Sequence, residues 1–365
     1  MKRILSVDMI RGFCIFLMVL GHLLDWWIIQ SDYWLITFLF SFLASIAATG
    51  FLFISGFSAA MAYKSRARKA ATSPDINLNQ ARNIYILRAL LLLAIGFLYN
   101  TVVAFGVGEL KWIWAWNALQ TISVSLLLAW PLLRTSKFLR IVLGIGLFIV
   151  NDLLLAFLLP YVDQLNINGV LFHIFYHPNE AFTILPYFAI FIIGTVVGDF
   201  LYNINIIEDQ EKRRNAIKRV FLRTVMIVGV ISTLFGIIYR FYDFLDRKTL
   251  SAMFYSIGAV LILLAILMYL EENEKIKPKK RFRFFFYYSY YSFTIYIAHD
   301  PLYFLFNRQL NAINIWLAVT GIFILVTLLL KVLHKKVGTK ASLKSQLSIL
   351  SFIIATKIEQ RKSNN

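Results

Sequence analysis

Cysteine is almost missing from this chain. Cys14 is the single thiol in 365 residues, which excludes an intrachain disulfide and any cysteine-clustered metal site. No HExxH pair occurs, so no metal is expected. P-loop, Rossmann glycine and GxSxG patterns are absent as well. Their absence disfavours a nucleotide-hydrolysing engine and an exposed serine nucleophile. Acidic residues are scarce, 19 against 37 Lys and Arg, for a formal charge of +18. In a soluble protein that balance would point to nucleic acid; the hydropathy removes that reading, and no nucleic-acid partner is expected. The apolar run after Met1-Lys2-Arg3 has no small-residue cleavage site, so it is expected to stay in the mature chain. No internal repeat and no low-complexity tract is visible.

What is abundant is apolar surface. The chain is 59% hydrophobic with a mean hydropathy of +0.70, more than a soluble fold can hide. The expected fold class is all-α: a polytopic helical bundle in the lipid bilayer. Runs of spanning length fall at about 9–29, 35–62, 84–106, 114–133, 138–159, 182–202, 220–240, 250–270, 285–306 and 312–333, ten candidate transmembrane helices. With the N-terminus inside, the inner segments carry KSRARK, RTSK, EKRRNAIKR, KIKPKKRFR and HKK. Lys111, Arg240, Arg247, Lys248 and Arg308 fall outside, leaving 32 of the 37 cations inside. This asymmetry predicts two cytosolic termini and sets the positive loops against anionic lipid. Trp26, Trp27, Tyr33 and Trp34, then Trp112, Trp114 and Trp116, read as an interfacial aromatic belt. Residues 160–179 read as the longest outer loop and 64–79 as a flexible inner one. A transmembrane domain is expected over 1–335 and a cytosolic tail over 336–365. In the tail, residues 341–360 put Leu343, Leu347, Leu350, Ile354 and Ile358 on one helical face, as an amphipathic surface helix does.

Ionisable groups within spans are costly and tend to be functional. The first span carries Asp8 and Arg11 toward one end and His22 and Asp25 toward the other. Arg11 and His22 are eleven residues apart, about three turns and roughly 16 Å of rise, which brings them to nearly one face. His299 also lies within a span, followed by Asp300 and Pro301. A carboxylate beside a buried imidazole raises its basicity and suits a general base. The proline frees a backbone carbonyl and opens the helix there. The plainer alternative is a polar pair joining two helices. His173 and His177, with Glu180 close by, fall in the outer loop, as acceptor contacts or as solvated loop residues. His334, beside Lys335 and Lys336, is expected at the lipid interface. Arg11 and Arg88 stand at inner ends of the first and third spans, and Arg82 just outside the third. They either snorkel to lipid phosphate or grip a phosphorylated cofactor bidentately. Ser55-Gly56 with Ser58, Ala59 and Ala60, and Gly194-x-x-x-Gly198 after Pro186, are small-residue patches that let helices close on each other or let a thin ligand run between them.

Taken in order, these motifs resemble a family. SVDMIRGFCIFLMVLGH resembles the "LD-x-x-RG … H" first helix of transmembrane acyltransferases, the acyltransferase-3 enzymes and the heparan-α-glucosaminide N-acetyltransferase-like group. GFLFISGFSAAMAY resembles their second helix and NIYILRALLLLAIGFLYN the arginine-bearing start of their third. NALQTISVSLLLAW and ILPYFAIFIIGTVVGDFL are similar to the "LQ-x-I" and "PW-x-x-x-x-x-G-x-x-x-G" helices of the N-acetyltransferase-like group, and YSYYSFTIYIAHDPLYF to the late "S-L-x-x-Y-x-x-H" helix. The chain departs from the pattern with Tyr187 in place of Trp and Thr121 in place of Arg. In the lysosomal enzyme the position of His22 is Asn and the catalytic histidine lies further into the lumenal loop, so heparan-type specificity is not carried over.

The resemblance implies an enzyme that takes an acyl group, usually acetyl, from cytosolic acyl-CoA and hands it to an extracytoplasmic acceptor, a sugar or a lipid-linked glycan. Acetyl-CoA, or another acyl-CoA, is then the donor substrate. His22, His299 and Asp300 become the catalytic candidates, with acyl-His22 as a covalent variant. Arg11, Arg82, Arg88 and Ser55 become the cofactor-binding candidates, and Asp25, His177 and Glu180 those for the acceptor. A multi-pass protein of a prokaryotic plasma membrane follows, with a homodimer among its possible states. The rival from another class is a proton-coupled transporter using His22, Asp25, His299 and Asp300 as a relay; the inverted repeats many transporters show are not visible. A lipid-binding or scaffolding protein would tolerate replacement of all four.

Overall fold

The computed structural model describes residues 4–72, 78–176, 183–241, 249–276 and 283–363. Among them the chain is helical, with one isolated backbone bridge, Ile28 to Leu310, and no strand. The helices are α1 (Leu5–Trp27), α2 (Trp34–Thr72), α3 (Leu78–Val107), α4 (Ala118–Leu132), α5 (Lys137–Leu158), α6 (Ile167–Phe175), α7 (Ile184–Asn205), α8 (Gln210–Ala216), α9 (Arg223–Tyr239), α10 (Leu250–Glu272), α11 (Arg283–Tyr290), α12 (Ser292–Ala298), α13 (Asn314–Lys336) and α14 (Leu343–Ser363). Nine stretches of the described residues are long and apolar enough to cross a membrane. The protein is an integral multi-pass membrane protein built as an all-α bundle.

Three sequence expectations change. The expected span 285–306 is not one helix: it breaks into α11, α12 and a 3-10 turn at Asp300–Phe304. Pro301, without an N–H, cannot continue α12, and such broken backbone is tolerated in a membrane where protein surrounds it. Of the expected loop at 64–79, residues 64–72 are helix, because α2 runs on through its Ala-, Arg- and Lys-rich end to Thr72; these are good helix formers, and residues 73–77 lie outside the described ones. The outer loop at 160–179 contains α6, whose first turn is capped by Asn166 accepting from the Gly169 N–H at 2.9 Å.

The chain divides into two compact units. The first comprises residues 1–51, 218–247 and 254–346. Its core runs along α1 through Ile15, Val19, Leu23 and Trp27 and is closed by Tyr288, Tyr291, Ile295, Val319 and Phe323. Gly12 makes this possible: a Cβ there would overlap the Phe285 carbonyl, so α11 lies backbone to backbone on α1. Gly258 does the same for α10 against Thr233 of α9.

The second unit comprises residues 52–217, 248–253 and 347–365. The small-residue patches of the sequence meet here. Gly56 faces the Phe191 carbonyl, Gly194 faces that of Phe53 and Gly198 that of Phe57, each too close for a Cβ. The glycines of both patches thus serve close helix packing. Directly after Gly198, Asp199 of α7 forms a buried ion pair with Arg140 of α5. Arg140 also donates to Thr195 Oγ1 at 3.1 Å, and Lys64 Nζ stands 3.6 Å from the other Asp199 oxygen. In α14, Leu347, Ser351 and Ala355, four apart, are buried, while Leu350, Phe352, Ile353 and Ile358 stay on the exposed side.

Candidate active site

Both ends of α1 are tied down. At its start the Glu271 carboxylate accepts from the Leu5 and Ser6 N–H groups at 2.9 and 2.8 Å, which satisfies two orphan donors and complements the helix dipole. One turn on, Arg11 Nη1 lies 3.5 Å from Asp8 Oδ1, which also accepts from Ser289 Oγ at 3.3 Å. At its end, the terminal carbonyls of Trp26 and Trp27 would lack donors; the N–H groups of Arg308 and Leu310 supply them at 2.9 and 2.8 Å. Trp27 Nε1 donates to the Leu302 carbonyl at 2.9 Å, and Ile29 N–H to that of Leu310 at 2.8 Å. The segment just after the helix break is therefore fastened to the end of α1.

That fastening brings the candidate catalytic residues together. The rings of His22 and His299 have centroids 5.1 Å apart. Trp26 completes a triangle, 5.0 Å from His22 and 5.6 Å from His299, nearly parallel to both. Tyr303 meets Trp26 edge-on at 5.7 Å. His299 is 4% exposed, whereas His22 is open to its surroundings. His299 Nδ1 lies 2.6 Å from the Tyr296 carbonyl. An acceptor at that position makes Nδ1 the protonated nitrogen and leaves Nε2 as the basic one. Nε2 is 3.5 Å from Asp300 Oδ1, so a proton arriving at Nε2 meets a carboxylate. The chain of groups is His22, His299, Asp300, from open to buried and back to half-buried.

The remaining candidates fall elsewhere. Asp25 accepts from the Tyr33 hydroxyl at 2.6 Å, and the Arg308 guanidinium covers the Tyr33 ring at 5.4 Å. Arg11 shares the first unit with the histidines; Ser55, Arg82 and Arg88 belong to the second, each half-buried on α2 or α3. His177 and Glu180 lie outside the described residues. His173 sits 3.1 Å from the Val162 carbonyl, a loop-internal contact. His334 is not merely at a lipid-facing flank: Phe286, Tyr287, Tyr290 and Tyr291 surround its ring.

Sequence reasoning missed Trp26, which it read as belt. The signal was there: Trp26 follows His22 by four residues, the spacing that stacks side chains on one helix face. It also passed over Arg140 and Asp199, although an ionisable group inside an apolar run is itself a flag.

The family model of the heparan-alpha-glucosaminide N-acetyltransferase catalytic domain matches residues 3–241. The chain belongs to this family. No curated protein matches it. Membership makes the protein a membrane acetyltransferase by family, one whose members take acetyl-CoA as donor. The matched stretch holds Arg11, His22, Ser55, Arg82 and Arg88. It ends before α11, so His299 and Asp300 rest on the geometry described above.

Proposed function

We propose that the protein transfers an acetyl group from cytosolic acetyl-CoA to a hydroxyl or amine of an extracytoplasmic sugar or glycan, with His22 as the base. The observation that carries this reading is the convergence of His22, His299 and Asp300 at one end of α1, with Arg11 at the other. Roughly 16 Å of helix separates Arg11 from His22, a span that a phosphopantetheine arm can cover. Arg11, Arg82 and Arg88 are the proposed phosphate ligands, since guanidinium groups fit phosphate bidentately. Ser55 is the proposed contact to the arm, and Asp25, His177 and Glu180 are the proposed acceptor contacts.

In the reaction, His22 accepts the proton of the acceptor O–H or N–H as that atom attacks the thioester carbonyl. The C–S bond breaks, and the thiolate leaves with the proton returned from the imidazolium. While His22 is charged, His299 and Asp300 stabilise it; a positioned general base of this kind contributes roughly 10²–10⁴-fold.

Purified protein in nanodiscs, given radiolabelled acetyl-CoA and a panel of sugar and lipid-linked acceptors, is expected to transfer label. His22→Ala is expected to lose roughly 10²–10⁴-fold in kcat with acetyl-CoA affinity retained. Absence of donor binding and of transfer, or a His22→Ala variant as active as the parent, overturns the reading.

A further inference from the structure

Eight residues among those described carry buried side-chain polar atoms with no hydrogen-bond partner. Two of these atoms are donors on touching rings. Trp130 is 7% exposed, and its indole N–H meets no acceptor. Tyr85 is half-buried, but its hydroxyl is shielded and has no partner. The two ring centroids are 4.9 Å apart, and Tyr63 packs edge-on against Trp130 at 5.4 Å. Native proteins rarely bury such donors unpaired, and each specific case asks for an acceptor. An indole N–H can only donate, so the missing group must bring lone pairs.

The charge around these rings says which kind. The Arg134 guanidinium lies over the Trp130 ring at 5.9 Å and is exposed, so the cluster opens to the outside on that side. Arg82 and Arg88 flank Tyr85 three residues before and after it on α3, the spacing of side-chain neighbours. Lys64 follows Tyr63 on α2 and shares its carboxylate, Asp199, with Arg140. One carboxylate thus serves two cations, and the surplus around the rings is positive. Unpaired N–H and O–H donors on packed rings with cations beside them fit a phosphate ester.

We propose that Tyr85 and Trp130 form the floor of a phosphate-ester site at this end of the second unit, with Arg134, Arg82 and Arg88 as its charged rim. The phosphate comes either from the coenzyme A portion of the donor or from an anionic lipid headgroup; the first source rests on the acetyltransferase reading, the second does not. Tyr85 and Trp130 thereby act as ligand contacts that no sequence pattern names.

The test uses the full chain in nanodiscs and the variants Tyr85→Phe, which keeps its ring, and Trp130→Phe, which keeps a smaller aromatic ring; both remove the donor. Acetyl-CoA affinity is measured in neutral phosphatidylcholine, and thermal stability is measured with and without phosphatidylglycerol. Loss of about tenfold in acetyl-CoA affinity per donor removed establishes the site with coenzyme as its source. Unchanged coenzyme affinity with loss of the stabilisation by phosphatidylglycerol establishes it with lipid as its source. In both cases the stability of Tyr85→Phe in neutral lipid without coenzyme is expected to stay level or rise, because an unsatisfied polar atom is removed; a fall there marks a structural role and overturns the proposal. Variants that match the parent in both measurements overturn it too. A parent protein that binds no acetyl-CoA defeats the acetyltransferase reading alone, and the lipid arm then decides the site.

Discussion

Asp300 is the residue that separates a shared proton path from a lone base. Its oxygen stands 3.5 Å from His299 Nε2, and Trp26 stacks on both histidines. If the carboxylate stabilises charge passed from His22, Asp300→Asn removes a charge-assisted contact worth ~1.5–3 kcal/mol. The expected outcome is a fall in kcat of roughly ten- to a hundredfold with the acetyl-CoA affinity unchanged. Steady-state kinetics on the two donor-saturated proteins checks it. A change confined to donor affinity would instead move Asp300 out of the chemical step. At this scale the sequence was informative about residue types and blind to their neighbours. It named His22, His299 and Asp300 because ionisable groups in apolar runs stand out. It left Trp26 in the aromatic belt, because a tryptophan at a membrane boundary already has an ordinary explanation.

Two kinds of glycine separate at the scale of the elements. Gly194 and Gly198 of α7 and Gly56 of α2 each face a carbonyl of the opposite helix with no room for a Cβ. Gly146 of α5 and Gly321 of α13 have open space around theirs. Gly194→Ala is therefore expected to destabilise by ~1–3 kcal/mol through forced separation of the two backbones. Gly146→Ala and Gly321→Ala are expected to stabilise by roughly 0.5–1 kcal/mol, the helix-interior preference for Ala. Thermal unfolding in one detergent compares all three; equal behaviour would remove the close α2–α7 seam from the account. The buried Arg140–Asp199 pair makes a second forecast. Arg140→Met leaves Asp199 in apolar surroundings with Lys64 as its remaining cation, and loss of one partner of a buried pair costs ~3–5 kcal/mol. Adding Asp199→Leu to that variant is expected to recover part of the loss. A double variant less stable than Arg140→Met would show that the carboxylate has a further role. The sequence predicted these helices and their apolar runs. It did not reveal that α2 continues beyond the membrane length, since apolar periodicity ends where the basic residues begin while helix propensity does not.

For the whole molecule, the question is how many times the chain crosses. The nine continuous candidate spans among the described residues would alone leave the two termini on opposite sides. The excess of Lys and Arg on one set of loops asks for both termini on the cytosolic side. The broken segment α11–α12 with its 3-10 turn reconciles the two if it completes a tenth crossing. Reporter fusions at each terminus are expected to give cytosolic signals from both. A C-terminal reporter on the far side would mean that 283–304 enters and returns, and that His299 is reached from the same side as the C-terminus.

Composition determined the class of this protein without help from coordinates. Transfer of so much apolar surface into lipid is favourable wherever it sits, so the helical class and the apolar runs of spanning length follow from local sequence. The order of the motifs pointed to the family that the match over residues 3–241 establishes. Only the tertiary structure decided which polar groups meet. His22 and His299 are 277 positions apart in the chain, and what joins them is the pairing of Trp26 and Trp27 carbonyls with the N–H groups of Arg308 and Leu310. Backbone hydrogen bonds between remote segments leave no imprint on either segment's own sequence. For the same reason α1 presented, as a sequence, two charged ends with nothing to choose between lipid anchoring and chemistry. In the fold, one of those ends is an ion pair tied to Ser289, and the other is a three-ring cluster backed by a carboxylate.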